Sequence, residues 1–352
     1  MKRGTIWSDS PEVDVFLFVL PVLFVPVPYF ISVNEGVGVL LFAAVIKFAF
    51  DLPHLASSWT RTVFDPSFRK DHPYQIFLAL PLILVGTFFL GAKGRLDFLI
   101  AGLFYLAIPH GFLQVANLLA CYRRQAEEKD SRQAAAETAS LLLFPTSFLL
   151  QRLSGPLSKE ILGIEIPYEW AAPWMAQAVF AMAGISLLTA CSFEFRRVRA
   201  KGVVNLSKWM FFASVVLGYW LLSKIPSLEL ATLGYLAWHA TQYLALTYRI
   251  NRKRFFDLKR ESPLLGSLFR PNHWGFFGLA LLFHGLLVYL AMAALPRFTP
   301  ELPQARLVWA VAVLYALSFC HFFLDVTLLL SPRYALVRPQ ERPAAPFAVR
   351  AA

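Results

Sequence analysis

Residues 97–121 read DFLIAGLFYLAIPHGFLQVANLLAC, and the explanation of that run decides the fold. Its only formal charge is Asp97 at the start, and as an α-helix it would rise about 37 Å, enough to cross the hydrocarbon core of a bilayer. Within lipid only helices and closed barrels satisfy their own backbone groups, and so continuous an apolar run lacks the alternation of a barrel strand. Yet its interior carries His110, Gln114 and Asn117.

Nine further runs of the same kind lie outward from this one, at 14–32, 36–58, 74–91, 135–152, 170–191, 207–223, 229–248, 274–295 and 307–330. The chain therefore reads as an all-α protein, a polytopic transmembrane helix bundle of about ten spans. Composition points the same way: 57% of the residues are hydrophobic and 16% charged, against roughly 25% charged in a soluble domain. Residues 1–330 read as a single integral membrane domain, and 331–352, with Pro332, Pro339, Pro343 and Pro346, as a Pro-rich cytoplasmic tail.

Lys and Arg are enriched in cytoplasmic loops. Of the 33 here, 25 gather on one predicted face and seven on the other, with Lys47 inside a span. Both termini are thus expected in the cytoplasm, and the compartment expected is a bacterial-type inner membrane. The net charge of +11 then reflects topology and contact with anionic lipid, with no nucleic-acid partner. The N-terminal segment has acidic residues and no small-residue cleavage site, so no removed signal peptide is expected. The three cysteines have no close spacing, and no disulfide is expected. Residues 122–134 (YRRQAEEKDSRQA) read as a solvated connector, and Asp65-Pro66 as the N-cap and first position of a short interfacial helix.

Ionisable residues inside spans are costly and are functional candidates by default. The second span holds Lys47, Asp51 and His54; the fourth His110, Gln114 and Asn117; the eighth His239, Gln242 and Tyr243; the ninth His284; the tenth His321 and Asp325. Counted from the cytoplasmic ends of their helices, His110, His239, His284 and His321 share one level, about 15 Å deep. If the second helix continues past Trp59, His54 joins them. A polar group follows most of these imidazoles one turn later, the pattern of ligands with supporting hydrogen-bond partners. His54, His110, His239, His284 and His321 are the candidate metal ligands. Asp51, Asp325 and Tyr243 are candidate catalytic groups, and Gln114, Asn117 and Gln242 candidates for orienting imidazoles or dioxygen. Arg61 could pair with Asp51 or Asp65. His72 and His273 lie at span edges and are left undecided.

Imidazole and carboxylate without thiolate suit iron, manganese, zinc or copper, and several histidines with one aspartate suit non-haem Fe(II) and oxygen. Such a site in lipid predicts an oxidoreductase for a lipid or isoprenoid: an oxygenase, hydroxylase or desaturase, with an external electron donor. The His-x-x-His-His boxes of membrane fatty-acid desaturases are absent from the sequence. Two other classes stay open: a b-type haem protein, and a proton-coupled transporter with a His/Asp relay. No nucleophile elbow or phosphate-cradling glycine loop appears.

The strings LGYLAWHATQYL (233–244) and IPHG (108–111) resemble the Trp-His helix and the Pro-His-Gly element of the Brp/Blh membrane carotene dioxygenases. That resemblance implies a multi-helix membrane fold that holds one iron by histidines and splits β-carotene to retinal. Gln242 and Tyr243 stand near where the family has a second histidine, and Pro-His-Gly is not followed by the family's aspartate. Residues 51–73 and 321–333 also look like a group of bacterial membrane proteins whose likeness supplies no activity.

Overall fold

Prolines set the local geometry of the first helices. Val15–Val19, Lys47–Asp51 and Gln75–Ala79 are π-helical, and Pro21, Pro53 and Pro81 each stand two residues beyond the end of one. Proline has no N–H to donate and its ring presses on the carbonyl four residues back. The preceding turn relaxes to the wider i→i+5 pattern, which recurs at functional sites.

A computed structural model describes residues 14–34, 45–202, 204–257 and 305–330, with a few positions between 282 and 294. Helix α1 continues from its π turn through Leu20–Phe24 and Val27–Asn34. Helix α2 joins Lys47–Asp51 to Leu52–Arg61, α3 is Pro66–Asp71, and α4 joins Gln75–Ala79 to Leu80–Ala92. Then come α5 (Leu96–Gln125), α6 (Ser131–Ser154), α7 (Pro173–Lys201), α8 (Leu206–Lys224), α9 (Leu228–Asp257) and α10 (Ala305–Leu330). Five helical stretches among the described residues are long and apolar enough to cross a membrane: Gln75–Ala92, Leu96–Arg124, Pro173–Lys201, Leu206–Lys224 and Val311–Leu330. Most of the predicted ninth span, including His284, lies outside the described residues, as do His273 and the Pro-rich tail.

Helix ends follow their capping residues. The Asp65 carboxylate accepts from the backbone N–H groups of Ser67 and Phe68 at 2.9 and 3.3 Å, with Pro66 opening α3 as the sequence predicts. Asp130 does the same for α6, and α7 stops at Gly202, whose φ of 68° suits a residue without Cβ. Between α6 and α7 the chain makes a two-residue hairpin, β1 (Glu160–Ile161) and β2 (Ile164–Glu165), in antiparallel register. Leu162 and Gly163 turn it with positive φ. Ile161 and Ile164 pack against the core formed by Ile100, Ile166 and Leu228, closing one end of the helix bundle.

Helices α6 and α7 run along one another, α8 packs on α6, α10 lies against α4 and α5, and α9 touches α1, α2 and α8. The ends of α5 to α8 are joined by charge. Lys208 donates to Glu128 at 2.8 Å, Glu137 at 2.5 Å and Glu194 at 3.1 Å. Arg123 lies 3.3 Å from Glu137, and Arg197 2.5 Å from Glu194 and 3.3 Å from Glu128. Gln133 donates to Glu137 and Glu194. The connector 122–134 is solvated only in part: Arg124, Glu127, Lys129, Asp130 and Arg132 are exposed, whereas the side chains of Arg123 and Glu128 are only 9% and 1% exposed. Three cations face three carboxylates, so the cluster is neutral and its burial is sustainable. Lys208→Met should therefore destabilise the protein by about 3–5 kcal/mol, and adding Glu137→Gln should recover part of that loss in a detergent unfolding titration.

Candidate metal centre

Four helices each deliver one imidazole to a common interior point. His54 comes from the turn of α2 that follows the π segment, His110 from the middle of α5 beside Pro109, His239 from α9 and His321 from α10. All four are buried, at 5% exposure or less. Ring centroids of His54 stand 4.3 Å from His321, 4.9 Å from His239 and 6.2 Å from His110. His110 is 5.3 Å from His239 and 4.8 Å from His321. One nitrogen each of His54, His110 and His239 lie within 4.8 Å of one another, and so do one atom each of His110, His321 and Asp325.

The rings are held from outside. The Ser58 hydroxyl donates to the Leu55 carbonyl at 3.2 Å and is hydrogen-bonded to His321 Nδ1. When Ser58 gives its proton to Leu55 it accepts from Nδ1–H, and His321 Nε2 is then the lone-pair nitrogen. That nitrogen is 4.0 Å from Asp325 Oδ2, while Tyr243 donates its phenol proton to Asp325 Oδ1. A lone pair and a carboxylate oxygen so placed in a buried site repel each other, and a cation between them turns repulsion into attraction. Tyr235, one turn before His239, places its hydroxyl 3.4 Å from Nδ1 and stacks on the ring. Among the described residues neither nitrogen of His110, nor Nδ1 of His54, nor Asp325 Oδ2, nor either amide atom of Gln114 has a hydrogen-bond partner. Each such group costs roughly 1–3 kcal/mol when left unsatisfied. The donor set of imidazoles and one carboxylate fits a divalent first-row ion.

A cavity, part of it open to the surroundings, reaches from His54, His110 and His239 between α5, α8 and α9 to the hairpin residue Ile161. Its walls are mostly aliphatic and aromatic, with Phe104, Ile108 and Leu236 among them. Close packing shapes it: a Cβ on Gly111 would meet the Tyr235 hydroxyl at 2.2 Å, and one on Gly218 the Trp238 ring at 2.6 Å.

The structure gathers His54, His110, His239, His321, Asp325 and Tyr243. Gln114 is buried one turn beyond His110 and Gln242 is buried on α9. Asp51 is bonded to Lys47 within the same π segment and lines the cavity beside the imidazoles, outside their donor groups. The Asn117 amide nitrogen donates to the Leu113 carbonyl of its own helix at 2.8 Å. Arg61 is buried, and its charge acts on Asp325 and Tyr243, while Asp51 pairs with Lys47 and Asp65 caps α3. His72 stacks on Phe68, and His284 and His273 fall outside the described residues. Sequence reasoning missed Tyr235, because the partners read for His239 were those that follow it, Gln242 and Tyr243.

No family model matches the chain, and no curated protein or solved structure matches it either.

The Tyr235 contact makes a direct prediction about packing. Gly111→Ala should cost about 1–3 kcal/mol through overpacking, and Gly111→Ala combined with Tyr235→Phe, which removes the colliding oxygen, should regain most of it in thermal melts.

Proposed function

We propose that this chain is a membrane-embedded, metal-dependent oxidoreductase, with non-haem iron held by His54, His110, His239 and His321 and an apolar lipid or isoprenoid as substrate. In this reading the fold has about ten spans, both termini face the cytoplasm, and the compartment is a bacterial-type inner membrane. The charge asymmetry of the loops supports that orientation. The observation that carries the metal is the convergence of four buried imidazoles, two of them with unsatisfied nitrogens, beside a carboxylate in a site that lipid and protein keep dry.

A ferrous ion bound by His54, His110, His239 and His321 would supply the electrons for dioxygen chemistry. The chain's own groups do the rest. Ser58 and Tyr235 contact Nδ1 of His321 and His239 and so orient the two rings. Tyr243 and Asp325 share a proton at the edge of the site, poised to give it to or take it from a reacting oxygen. The cavity walls orient an apolar chain against the imidazoles and keep bulk water out. The similarity of 108–111 and 233–244 to the Brp/Blh dioxygenases favours an isoprenoid among the candidate substrates. The edge-to-face packing of His54 on both His239 and His321 leaves no flat slot between those rings for a porphyrin, so iron without haem is preferred.

Metal analysis of protein purified in detergent tests the assignment. About one first-row metal per chain is expected, lost in His239→Ala and in His321→Ala while both variants remain inserted and helical by circular dichroism. Full metal retention by both would exclude these ligands. Ser58→Ala should weaken metal affinity about 10-fold or more by freeing the His321 ring, measured by competition with a chelator.

A further inference from the structure

The cavity has two ends of different character. At one are the imidazoles; at the other is Arg152, on the last turn of α6. Ile100 precedes His110 on α5, and Leu228 precedes His239 on α9, by ten or eleven residues, so the two ends are about 15 Å apart. The wall between is almost entirely apolar.

Arg152 is 4% exposed and lines the cavity. Its two terminal nitrogens donate to the backbone carbonyls of Leu222, Ile225, Pro226 and Ser158. Those bonds fasten the end of α8 and the following loop, but carbonyls carry no net charge. Among the described residues no carboxylate forms an ion pair with Arg152, and its Nε has no hydrogen-bond partner. The contrast with the other cation on the cavity wall is direct, since Lys47 is neutralised by Asp51. A guanidinium is always charged, and one buried without a counter-ion is unfavourable until an anion meets it.

We infer that the cavity binds a linear apolar molecule by its carboxylate end, with Arg152 recognising the carboxylate and the chain running back to the imidazoles. This inference rests on the cavity being the substrate site of the proposed oxidoreductase, and it narrows the substrate to an acid with a long hydrocarbon body. The carboxylate supplies the missing charge. The reacting carbons are then those far from the acid group, set by the distance between the two ends.

The test uses the full chain in nanodiscs, with labelled palmitate and labelled methyl palmitate as probes and empty nanodiscs subtracted. Palmitate is expected to bind about 10-fold tighter than its ester, and Arg152→Lys, which keeps the charge, to retain a preference for the acid. Arg152→Met is expected to abolish the preference while still binding the ester. Equal affinity of the wild-type protein for acid and ester, or an unchanged preference in a folded Arg152→Met, would overturn the inference. Metal content measured on the same samples separates the two proposals. Acid selectivity in a protein without metal would leave the carboxylate site standing and end the oxidoreductase reading, and the reverse result would do the opposite.

Discussion

Four imidazoles brought together away from water are the constraint to which the rest of this structure answers. A neutral imidazole has one donor and one acceptor nitrogen, and in an apolar interior each must find a partner or carry a penalty. Here the partners come from four separate helices, so the penalty can be relieved only if α2, α5, α9 and α10 keep a fixed relation to one another. The residues around the rings are those that fix it: Ser58 on α2 bonded to His321 on α10, Tyr243 on α9 bonded to Asp325 on α10, and Tyr235 fitted over Gly111 of α5.

Charge is handled by the same rule elsewhere in the chain. The Glu128, Glu137 and Glu194 carboxylates are close enough together to resemble a cation site, yet Lys208, Arg123 and Arg197 already occupy that role. The result is a neutral clamp at the ends of α5 to α8. In the imidazole cluster the Asp325 carboxylate takes the Tyr243 proton and lies within reach of the buried Arg61 charge. Arg152, at the far end of the apolar cavity, has only carbonyls among the described residues.

Much of this is legible in the amino-acid sequence. The helical class follows from runs such as 97–121, and the shared depth of His110, His239 and His321 follows from counting residues to the helix ends at a fixed rise. His54 joins that level because α2 does continue, to Arg61. What a sequence does not show is which way a side chain turns once several partners compete for it. Asp51 stands three residues before His54, a position that suggests a ligand group, but Lys47 lies four residues back on the same widened turn and takes it. Asn117 is open to its own helix backbone. The stretch 122–134 reads as solvated because two of its charges, Arg123 and Glu128, pair with Glu137, Arg197 and Lys208, residues beyond the stretch. Arg152 reads as an ordinary loop-end cation, and only the fold sets it against a cavity. The π turns, by contrast, have a signal in plain view, a proline two residues beyond each.

The central claim is that the imidazoles share one metal. X-ray absorption on the purified full chain, taken at the edge of whichever first-row metal copurifies, addresses it directly. The account predicts a shell of nitrogen and oxygen at about 2.0–2.2 Å with the outer scattering of several imidazole rings. A sulfur shell, or no stoichiometric metal with the histidines intact, would contradict it.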